Sequence, residues 1–526
     1  MLILWGSVGV VSAQDRYIVY FKDKTSSPYK ISEPEKFLSS KAISRRLKQE
    51  IAVTENDLPV NPGYVTQLKA AGAEVYFTSR WLNCALVQAS IDVSNQLSAL
   101  SFVSKVEYVA PGAKLSSGRV KAGKQRKQTG GAEATKQQLH MVGIDNMQAD
   151  DLLGEGVLVA ILDAGFLGVD SALPFQHLFT GKKIDYVFDF VENGQNVYRY
   201  DEHGTEVFSV IAANSDSYTG GAYNATFQLY VTEDVSSEYR IEEYNWLFAA
   251  ERADSAGVDL ITSSLGYNTF DNAAMDYNKA TDLNGKTAII SKAAAAALAR
   301  GIVVVCSAGN EANNSWGTVT PPADVEGIVS VGAITSQGSK SPFSSTGPTS
   351  DNRIKPDVVA LGSGVSVVRP SGNNGYSNGT SLAAPIVTSL IIGLIQKFPD
   401  IDPNTIAEQV IHTASQADHP NNSLGYGIPS YDEAKAALEA MLPVDEISVY
   451  PNPTDTGRFF VRFKNSGIQA TITVYDLNGK ILSSHIVDVT SINNPVEISV
   501  LELPASSYLV KVKTSDNFKA FRLVKL

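Results

Sequence analysis

A chain of 526 residues with 44% hydrophobic residues is long enough for more than one domain, each with a core of its own. Its formal net charge of -12 argues against broad electrostatic binding to nucleic acid, so no nucleic-acid partner is predicted. The two cysteines, Cys84 and Cys306, follow apolar runs and are not ligand-spaced, so neither a zinc site nor a disulfide framework is indicated.

The first residues, MLILWGSVGVVSAQ, form an apolar run that ends in the small-residue pattern Val11-Ser12-Ala13. This pattern predicts a secretory signal peptide over residues 1–13, although no Lys or Arg precedes the apolar part. The alternative is an N-terminal core strand. No other stretch is interpreted as approaching the ~18 apolar residues of a membrane span, so no transmembrane segment is predicted.

Residues 14–113 have a compact α+β pattern, which starts with the strand RYIVYF at Arg16 and ends with FVSKVEYVAP. Residues 114–136 are basic, rich in Gly and nearly free of apolar side chains, which predicts a flexible linker. A solvated spacer is its simplest role, and its composition is also compatible with a processing site.

From residue 137 to residue 441 the chain alternates helices with short strands that are apolar along their whole length. These strands are predicted at residues 156–165, 227–232, 258–266, 301–310 and 327–333. A helix is predicted over KTAIISKAAAAALARG, with Arg300 in its last turn and Gly301 as its stop. The pattern indicates an α/β domain with a mostly parallel sheet flanked by helices, in which active residues gather at the carboxyl ends of the strands.

Residues 445–526 have an all-β pattern, with alternating segments such as TITVYDLNGKIL, where Asn478-Gly479 predicts a tight hairpin. A small β-sandwich is expected. The segment has a single histidine, His485, which we assign to a sheet face, and it lacks the ligand clusters of a metal or catalytic site.

Three residues of the middle segment stand where catalytic side chains are expected. Asp163 ends the strand LVAILD, His203 precedes the Gly-Thr pair that opens a helix, and Ser381 stands at the mouth of an apolar helix with Pro385 in its first turn. Each has an ordinary alternative: a strand-end cap, a surface histidine and a helix N-cap. Together, in the order Asp, His and Ser, they fit a nucleophilic triad.

Such a triad needs these residue types for chemical reasons. A serine hydroxyl becomes a good nucleophile when a base removes its proton, and neutral imidazole has a pKa near the working pH. A buried carboxylate holds the imidazole in the right tautomer and stabilises its charged form. Asn310 and the N–H group of Ser381 are candidate donors to the oxyanion, although Asn310 also fits a turn residue after Gly309.

Five ordered motifs resemble those of the subtilisin-like serine peptidases, the subtilase family, over roughly residues 137–441. They are ILDAG around Asp163, HGT from His203, SSLG at 263–266, SAGNE at 307–311 and GTSLAAP at 379–385. GYGIPSYDEA from Gly425 resembles the closing element of the family.

The resemblance implies a subtilisin-like fold and a serine endopeptidase that hydrolyses peptide bonds through an acyl-enzyme. It implies Asp163 as the orienting acid, His203 as the general base and acid, Ser381 as the nucleophile and Asn310 as an oxyanion donor. It also implies a groove that pairs with the backbone of protein or peptide substrates, lined by Ser264, Leu265, Gly266, Ser307, Ala308 and Gly309. No cofactor or metal is required for the chemistry, and structural calcium is left open.

The sequence departs from the family at several positions near these motifs. Ala164 replaces the usual Ser or Thr, which predicts a missing hydrogen bond near Asp163. In place of HGTHVAG, the chain has Glu206, Phe208 and Ser209 for the second His, the Ala and the Gly, so the helix behind His203 is expected to pack differently. Leu382 replaces the usual Met, a volume-conserving change that costs little.

Both flanks also resemble parts of secreted subtilases. Residues 16–113 resemble inhibitory prosegments, and residues 445–526, with YPNP at Tyr450–Pro453, resemble C-terminal sorting domains of type IX secretion. The resemblance implies a secreted or cell-surface protein that is exported through the periplasm of a Gram-negative bacterium, with the type IX machinery as a partner.

Three alternatives follow from the same residues. The chain could be a catalytically weak or inactive subtilase scaffold that acts in surface binding or adhesion, but all four predicted catalytic residues are present. It could be a non-peptidase esterase, although an esterase needs no strand-like groove. The C-terminal segment could be an ordinary β-sandwich appendage such as a carbohydrate-binding module.

Overall fold

The computed structural model describes residues 14–112, 132–441, 447–464, 466–491, 495–515 and 518–526. The predicted signal peptide and most of the predicted linker lie outside these described residues. The chain divides into two compact units, Met1–Leu438 and Glu439–Leu526, and each is described by itself. Within the first unit we distinguish an N-terminal region, residues 14–112, from a central region that starts at residue 132.

The N-terminal region is an antiparallel sheet with three helices, as the α+β pattern predicted. Its elements are β1 (Asp15–Phe21), α1 (Ser40–Lys48), α2 (Pro62–Ala70), β2 (Glu74–Ser79), β3 (Cys84–Ala89), α3 (Ile91–Ser98) and β4 (Val103–Pro111). The strand order is β2-β3-β1-β4. Ser39 and Ser90 cap α1 and α3 by accepting hydrogen bonds from main-chain N–H groups of the first turn.

The central region contains most of the helices of the protein. In chain order its elements are α4 (Ala132–His140), α5 (Ile144–Ala149), β5 (Leu158–Asp163), α6 (Gln176–Thr180), β6 (Ile184–Asp189), α7 (His203–Ala212), β7 (Asn214–Ser215), β8 (Tyr218–Thr219), β9 (Thr226–Val231), α8 (Ile241–Ala256), β10 (Leu260–Ser263), α9 (Ile289–Leu298), β11 (Val303–Ser307), β12 (Val329–Ile334), β13 (Val358–Leu361), β14 (Val365–Val368), β15 (Asn374–Ser377), α10 (Thr380–Lys397), α11 (Pro403–His412) and α12 (Tyr431–Met441). Helix α4 begins within the predicted linker, because AEATKQQLH is composed mainly of good helix formers.

Seven strands form a parallel sheet in the order β13-β12-β11-β10-β5-β9-β6. The five strands that the sequence predicts are its five central strands; four are shorter than the apolar run around them, and β9 has the predicted length but begins one residue earlier. The two strands that it missed, β6 and β13, are the edges. Strand β6 is only partly buried, and the apolar run of β13 is confined to four residues between Asp357 and Gly362, so neither gives a long apolar run.

Helix α10 runs through the core, and the sequence analysis was wrong about it in two respects. By length and composition it could cross a membrane, whereas no such stretch was predicted; 83% of it is buried inside the protein, as in a soluble core helix. Its N-cap is Gly379, which excludes the alternative that Ser381 caps the helix, because Ser381 is its second residue; Pro385 lies inside the helix, whereas the sequence placed it in the first turn. Helix α9 also ends earlier than predicted, at Leu298.

Helix α8 lies between the four-stranded N-terminal sheet and the seven-stranded parallel sheet. Because alternate residues of a strand point to opposite faces, Tyr17 and Val19 of β1 pack with Leu68 of α2, whereas Ile18 belongs to the same buried cluster as Trp246 of α8. Helix α8 is therefore buried along nearly its whole length.

The C-terminal unit is all-β, as predicted. Its strands are β16 (Ile447–Tyr450), β17 (Arg458–Phe463), β18 (Ile468–Tyr475), β19 (Ile481–Val489), β20 (Val496–Ser499), β21 (Ser506–Lys513) and β22 (Phe518–Lys525). They form antiparallel sheets of order β16-β17-β20 and β19-β18-β21-β22, whose inner faces share one core. The predicted turn at Asn478-Gly479 joins β18 to β19, with Gly479 at φ 83°.

Candidate active site

Asp163 and His203 meet at the carboxyl end of the parallel sheet. Asp163 is the fully buried last residue of β5, and His203 is the first residue of α7. The Nδ1 atom of His203 lies 2.7 Å from Oδ1 of Asp163, which also accepts a 2.7 Å hydrogen bond from the N–H group of Ala164. The carboxylate therefore fixes the ring with Nε2 available on its other side.

The second carboxylate oxygen of Asp163 is buried and has no hydrogen-bond partner among the described residues. Ala164, which replaces the usual Ser or Thr of the family, has no side-chain donor to offer. It lines a narrow crevice that has no room for a water molecule, together with Asp189, Tyr200 and Glu233. The missing hydrogen bond that the sequence predicted is thus a property of this site.

Opposing effects act on the charge of His203. Burial lowers the pKa of the imidazole, but the nearby Asp163 carboxylate and the hydrogen bond to it outweigh burial and raise the pKa to about 9. More distant carboxyl groups, of Glu233 and Asp201, act in the same direction. The charged ring is therefore stabilised, as a base that must carry a proton during the reaction requires.

Ser381 lies in the first turn of α10. Its side chain is 7% exposed, and its carbonyl oxygen accepts a 2.9 Å hydrogen bond from the hydroxyl of Ser264. No hydrogen bond joins its hydroxyl to His203 in this structure. Catalytic hydrogen bonds are often long in unliganded enzymes and tighten when substrate binds.

Asn310 is held with its amide nitrogen toward Ser381. Its Oδ1 atom accepts hydrogen bonds from the N–H group of Thr380, at 2.9 Å, and from the Thr380 hydroxyl, at 3.1 Å. A side chain at Gly379 would place its Cβ atom 2.6 Å from Oγ of Ser381 and 3.8 Å from Nδ2 of Asn310, so these two atoms border the same space. Asn310 can therefore donate to an oxygen that forms beside Ser381.

The residues predicted to line the groove fall into two groups. Strands β10 and β11 are neighbours, so the segments 264–266 and 307–309 follow adjacent strands. The main-chain groups of 264–266 make no hydrogen bond to other described residues, which leaves them able to pair with a peptide. In contrast, the main-chain groups of 308–309 are already hydrogen-bonded within the protein. The N–H group of Ala308 donates to Val331 and its carbonyl oxygen accepts from Thr320, while the N–H group of Gly309 donates to the Thr380 hydroxyl and its carbonyl oxygen accepts from Ser345.

Sequence reasoning missed three residues that shape the site. Asp201 accepts a 2.7 Å hydrogen bond from the N–H group of His203, and Thr380 orients Asn310. Both stand beside motif residues, so their position in the sequence was the available signal. Burial, with the carboxyl groups of Glu238 and Asp163, raises the pKa of Glu233 to about 8, which no local pattern indicates.

Among the residues that the structure describes, no group of three or more His, Cys, Asp or Glu side chains is arranged to hold a metal ion. Both cysteines are buried and free.

A catalytic-type Asp–His pair at the end of a parallel sheet, beside a helix with a serine in its first turn, is the arrangement of a serine hydrolase. Residues 154–427 match the Subtilase family, Peptidase S8, and the chain belongs to this family. It is a subtilisin-like serine endopeptidase. Residues 16–128 match the Peptidase S8 propeptide domain of Bacteroidota, and residues 448–525 match a secretion-system C-terminal sorting domain.

Curated relatives agree with this assignment, and a solved structure has the same fold. The chain is 31% identical to Subtilisin E of Bacillus subtilis over 295 residues, which are 54% of this chain and 68% of that protein. It is also 31% identical to Subtilisin of Bacillus pumilus over 284 residues, or 52% of this chain and 90% of that protein. The crystal structure of the Epidermin Leader Peptide Processing Serine Protease of Staphylococcus aureus has the same fold, with a TM-score of 0.55 at 17% identity, covering 82% of this chain and 100% of that chain.

Proposed function

We propose that Ser381 is the nucleophile of this endopeptidase, with His203 as its base and Asp163 as the group that orients His203. The 2.7 Å contact between His203 Nδ1 and Asp163 Oδ1 carries the proposal, because it leaves Nε2 of the ring to accept a proton. Asn310 and the N–H group of Ser381 supply the oxyanion donors.

The reaction then proceeds in two halves through an acyl-enzyme. Ser381 Oγ bonds to the scissile carbonyl carbon while His203 Nε2 takes the hydroxyl proton, and the carbonyl electrons move to the oxygen beside Asn310. When this intermediate collapses, the C–N bond breaks and the leaving amine takes the proton from His203. Water then repeats the sequence on the acyl-enzyme, releasing the acid and restoring the serine.

The flanking segments account for the export of the enzyme and for the control of its activation. The sorting and propeptide domains indicate a secreted or cell-surface protein exported from a Gram-negative bacterium. We propose export through the periplasm by the type IX machinery, with residues 445–526 as the address. We further propose that residues 14–113 inhibit the enzyme until they are cut off within residues 114–136.

Fluorophosphonate labelling of the processed protein, with mass spectrometry of the modified peptide, tests the triad. The label should be found on Ser381, and Ser381→Ala should abolish both labelling and peptide hydrolysis. Ser389→Ala is a matched control, because this serine lies in the same helix and donates to the carbonyl oxygen of Pro385. Labelling of a different serine would refute the assignment, and a processed protein that takes no label would indicate the inactive binding scaffold instead.

A further inference from the structure

The positions at which α7 departs from the family pattern have specific partners in this structure. Glu206 stands where the second histidine is usual, and its buried carboxylate pairs with the guanidinium of Arg369. Ser209 stands where glycine is usual, and its hydroxyl accepts a 2.9 Å hydrogen bond from the N–H group of Val368. The partners of Glu206 and Ser209 are therefore two consecutive residues, at the end of β14.

Phe208, the third departure, packs on the side of α7 away from the contacts of Glu206 and Ser209. Its ring stacks on Phe175 with centroids 5.6 Å apart and meets the ring of Phe227 edge-on at 4.9 Å. The helix that begins with His203 is thus held by aromatic packing and by two polar contacts to the β14–β15 hairpin.

The hairpin leads directly into the nucleophile. Strand β15 ends at Ser377, and α10 begins three residues later, at Thr380. Arg369 contacts both β15 and α7. Its Nη2 atom donates a 3.1 Å hydrogen bond to the carbonyl oxygen of Tyr376, and its Nη1 atom pairs with Glu206. Nη1 also lies 3.6 Å from the carboxylate of Glu202, the residue before His203.

Glycine at position 375 makes this placement of Arg369 possible. A Cβ atom at Gly375 would lie 2.9 Å from Nε of Arg369, which is closer than such atoms approach. The obstructed group is the end of a flexible side chain, so an alanine at this position displaces the guanidinium and leaves the backbone where it is.

We infer that the Glu206–Arg369 ion pair is a positioning bridge, which holds the helix of His203 against the hairpin that leads into Ser381. The inference rests on the proposed roles of His203 and Ser381, and it assigns to this ion pair the task of fixing the distance between them. A planar guanidinium suits this role because it grips a carboxylate and a carbonyl oxygen in fixed directions. Neither residue touches the reacting atoms.

The bridge also balances charge around His203, which gives it a signature that packing alone lacks. The carboxyl groups of Asp163, Glu233 and Asp201 act on the pKa of His203. Glu202 precedes His203 in the chain, Glu206 lies in the same helix, and Arg369 pairs with both of these glutamates. Without Arg369, two carboxylates lose their counter-charge and the pKa of His203 rises further. Without the Glu206 charge, Arg369 is uncompensated and the pKa of His203 falls.

The test measures kcat, KM and the rate of fluorophosphonate inactivation against pH for the full chain after processing, with active sites counted by the label. Gly375→Ala should lower kcat by about tenfold with little change in KM, because it displaces Arg369 without removing a charge. Arg369→Gln should shift the acid limb of the inactivation rate to higher pH, and Glu206→Gln should shift it to lower pH. Arg369→Lys keeps the charge, so it should keep the pH profile and still lose kcat.

Arg458→Gln is the control, because it removes an exposed Arg–Glu pair from the C-terminal unit and should change none of these quantities. Opposite pH shifts for Arg369→Gln and Glu206→Gln, with a loss of kcat in Gly375→Ala, support the bridge. Wild-type kcat in Gly375→Ala, or pH shifts of the same sign, would overturn it while Ser381→Ala stays inactive. Activity retained by Ser381→Ala would instead refute the proposed function on which the bridge rests.

Discussion

The orientation of the His203 imidazole is set by one hydrogen bond, between its Nδ1 atom and Oδ1 of Asp163. Its Nδ1 atom is 2.7 Å from the fully buried Asp163, and the side chain of His203 is still 36% exposed. A base of this kind is fixed in orientation and remains accessible to substrate. Its protonation state therefore decides how much of the enzyme is active at a given pH.

The pH dependence of kcat/KM should have an acid limb in the alkaline range. If His203 is the base as proposed, only its neutral form can accept the proton of Ser381, and Asp163 raises the pKa of His203 to about 9 in spite of its partial burial. Activity should thus rise as pH increases through that value and fall below it. Steady-state kinetics of the processed enzyme between pH 5 and pH 11 measures this. An activity that is flat from pH 6 upward would contradict it.

Asn310→Ala should lower kcat by about 10²- to 10³-fold, the range known for loss of such a donor in subtilisin, a relative of this chain. KM should change little, because the hydrogen bond strengthens only in the transition state. Asn314→Ala, which removes a turn asparagine four residues further on, is the control and should keep kcat. A near-normal kcat in Asn310→Ala would leave Asn310 as a turn residue only.

At the scale of elements, the N-terminal region is joined to α8 by buried ion pairs. Asp254 of α8 is fully buried and accepts hydrogen bonds from the guanidinium groups of Arg45, Arg46 and Arg80, at 2.5 to 2.8 Å. In the opposite direction, Arg300 of the central region pairs with Asp57 at 2.8 Å. Buried charges are costly unless they are paired. Separating the N-terminal region from the central region would therefore break these pairs and leave charges of both regions without a partner.

Arg46→Met should weaken the binding of residues 14–112 to the central region far more than Lys41→Met does, although both variants remove one cation from α1. Arg46 is buried, donates hydrogen bonds to Asp254 and lies 3.2 Å from Asp57, so its loss should cost about 1.5–3 kcal/mol, the range for hydrogen bonds to charged groups. Lys41 is 41% exposed in its pair with Asp259, and its loss should cost about 0–1 kcal/mol.

The measurement is the urea concentration at which chymotrypsin begins to degrade residues 14–112 in full-length Ser381→Ala, which is expected not to process itself. A much lower concentration for Arg46→Met than for Lys41→Met supports the expectation. Equal concentrations for the two variants would mean that the apolar contacts between the sheet and α8 dominate.

At the scale of the whole molecule, we expect the reaction and the export signal to belong to separate compact units. The C-terminal unit has a core of its own, built from both of its sheets, and its described residues hold no arrangement suited to a metal ion. Every residue that we assign to the reaction lies in the first unit. The two functions should therefore be separable.

Removing residues 442–526 should leave peptide hydrolysis by the purified enzyme unchanged and should block export in a host with type IX secretion, leaving the protein in the periplasm. Immunoblots of periplasm, cell surface and medium measure this. Full-length Ser381→Ala controls for export of an inactive protein. If the truncated chain still reaches the surface or the medium, the segment is a binding appendage and not an address.

Local patterns predicted the features that depend on neighbouring residues. The five central strands are continuous apolar runs because both of their faces are buried, and Asn478-Gly479 predicts a hairpin because it tolerates positive φ. The edge strands β6 and β13 were missed because β6 is half-exposed and the apolar run around β13 has only four residues, whereas β10 lies within a longer apolar run. The membrane-like composition of α10 reflects its burial in the core, which composition cannot distinguish from burial in lipid.

By itself, the sequence determined the fold class, the family and the set of candidate residues Asp163, His203, Ser381 and Asn310, because each stands in a short motif whose local structure is specified by adjacent residues. Only the tertiary structure decided which of these atoms meet and what holds them. Glu206 and Arg369 stand 163 positions apart, and no periodicity or turn signal links them. They pair because the sheet brings α7 beside the β14–β15 hairpin, where a buried carboxylate needs a cation to remain charged.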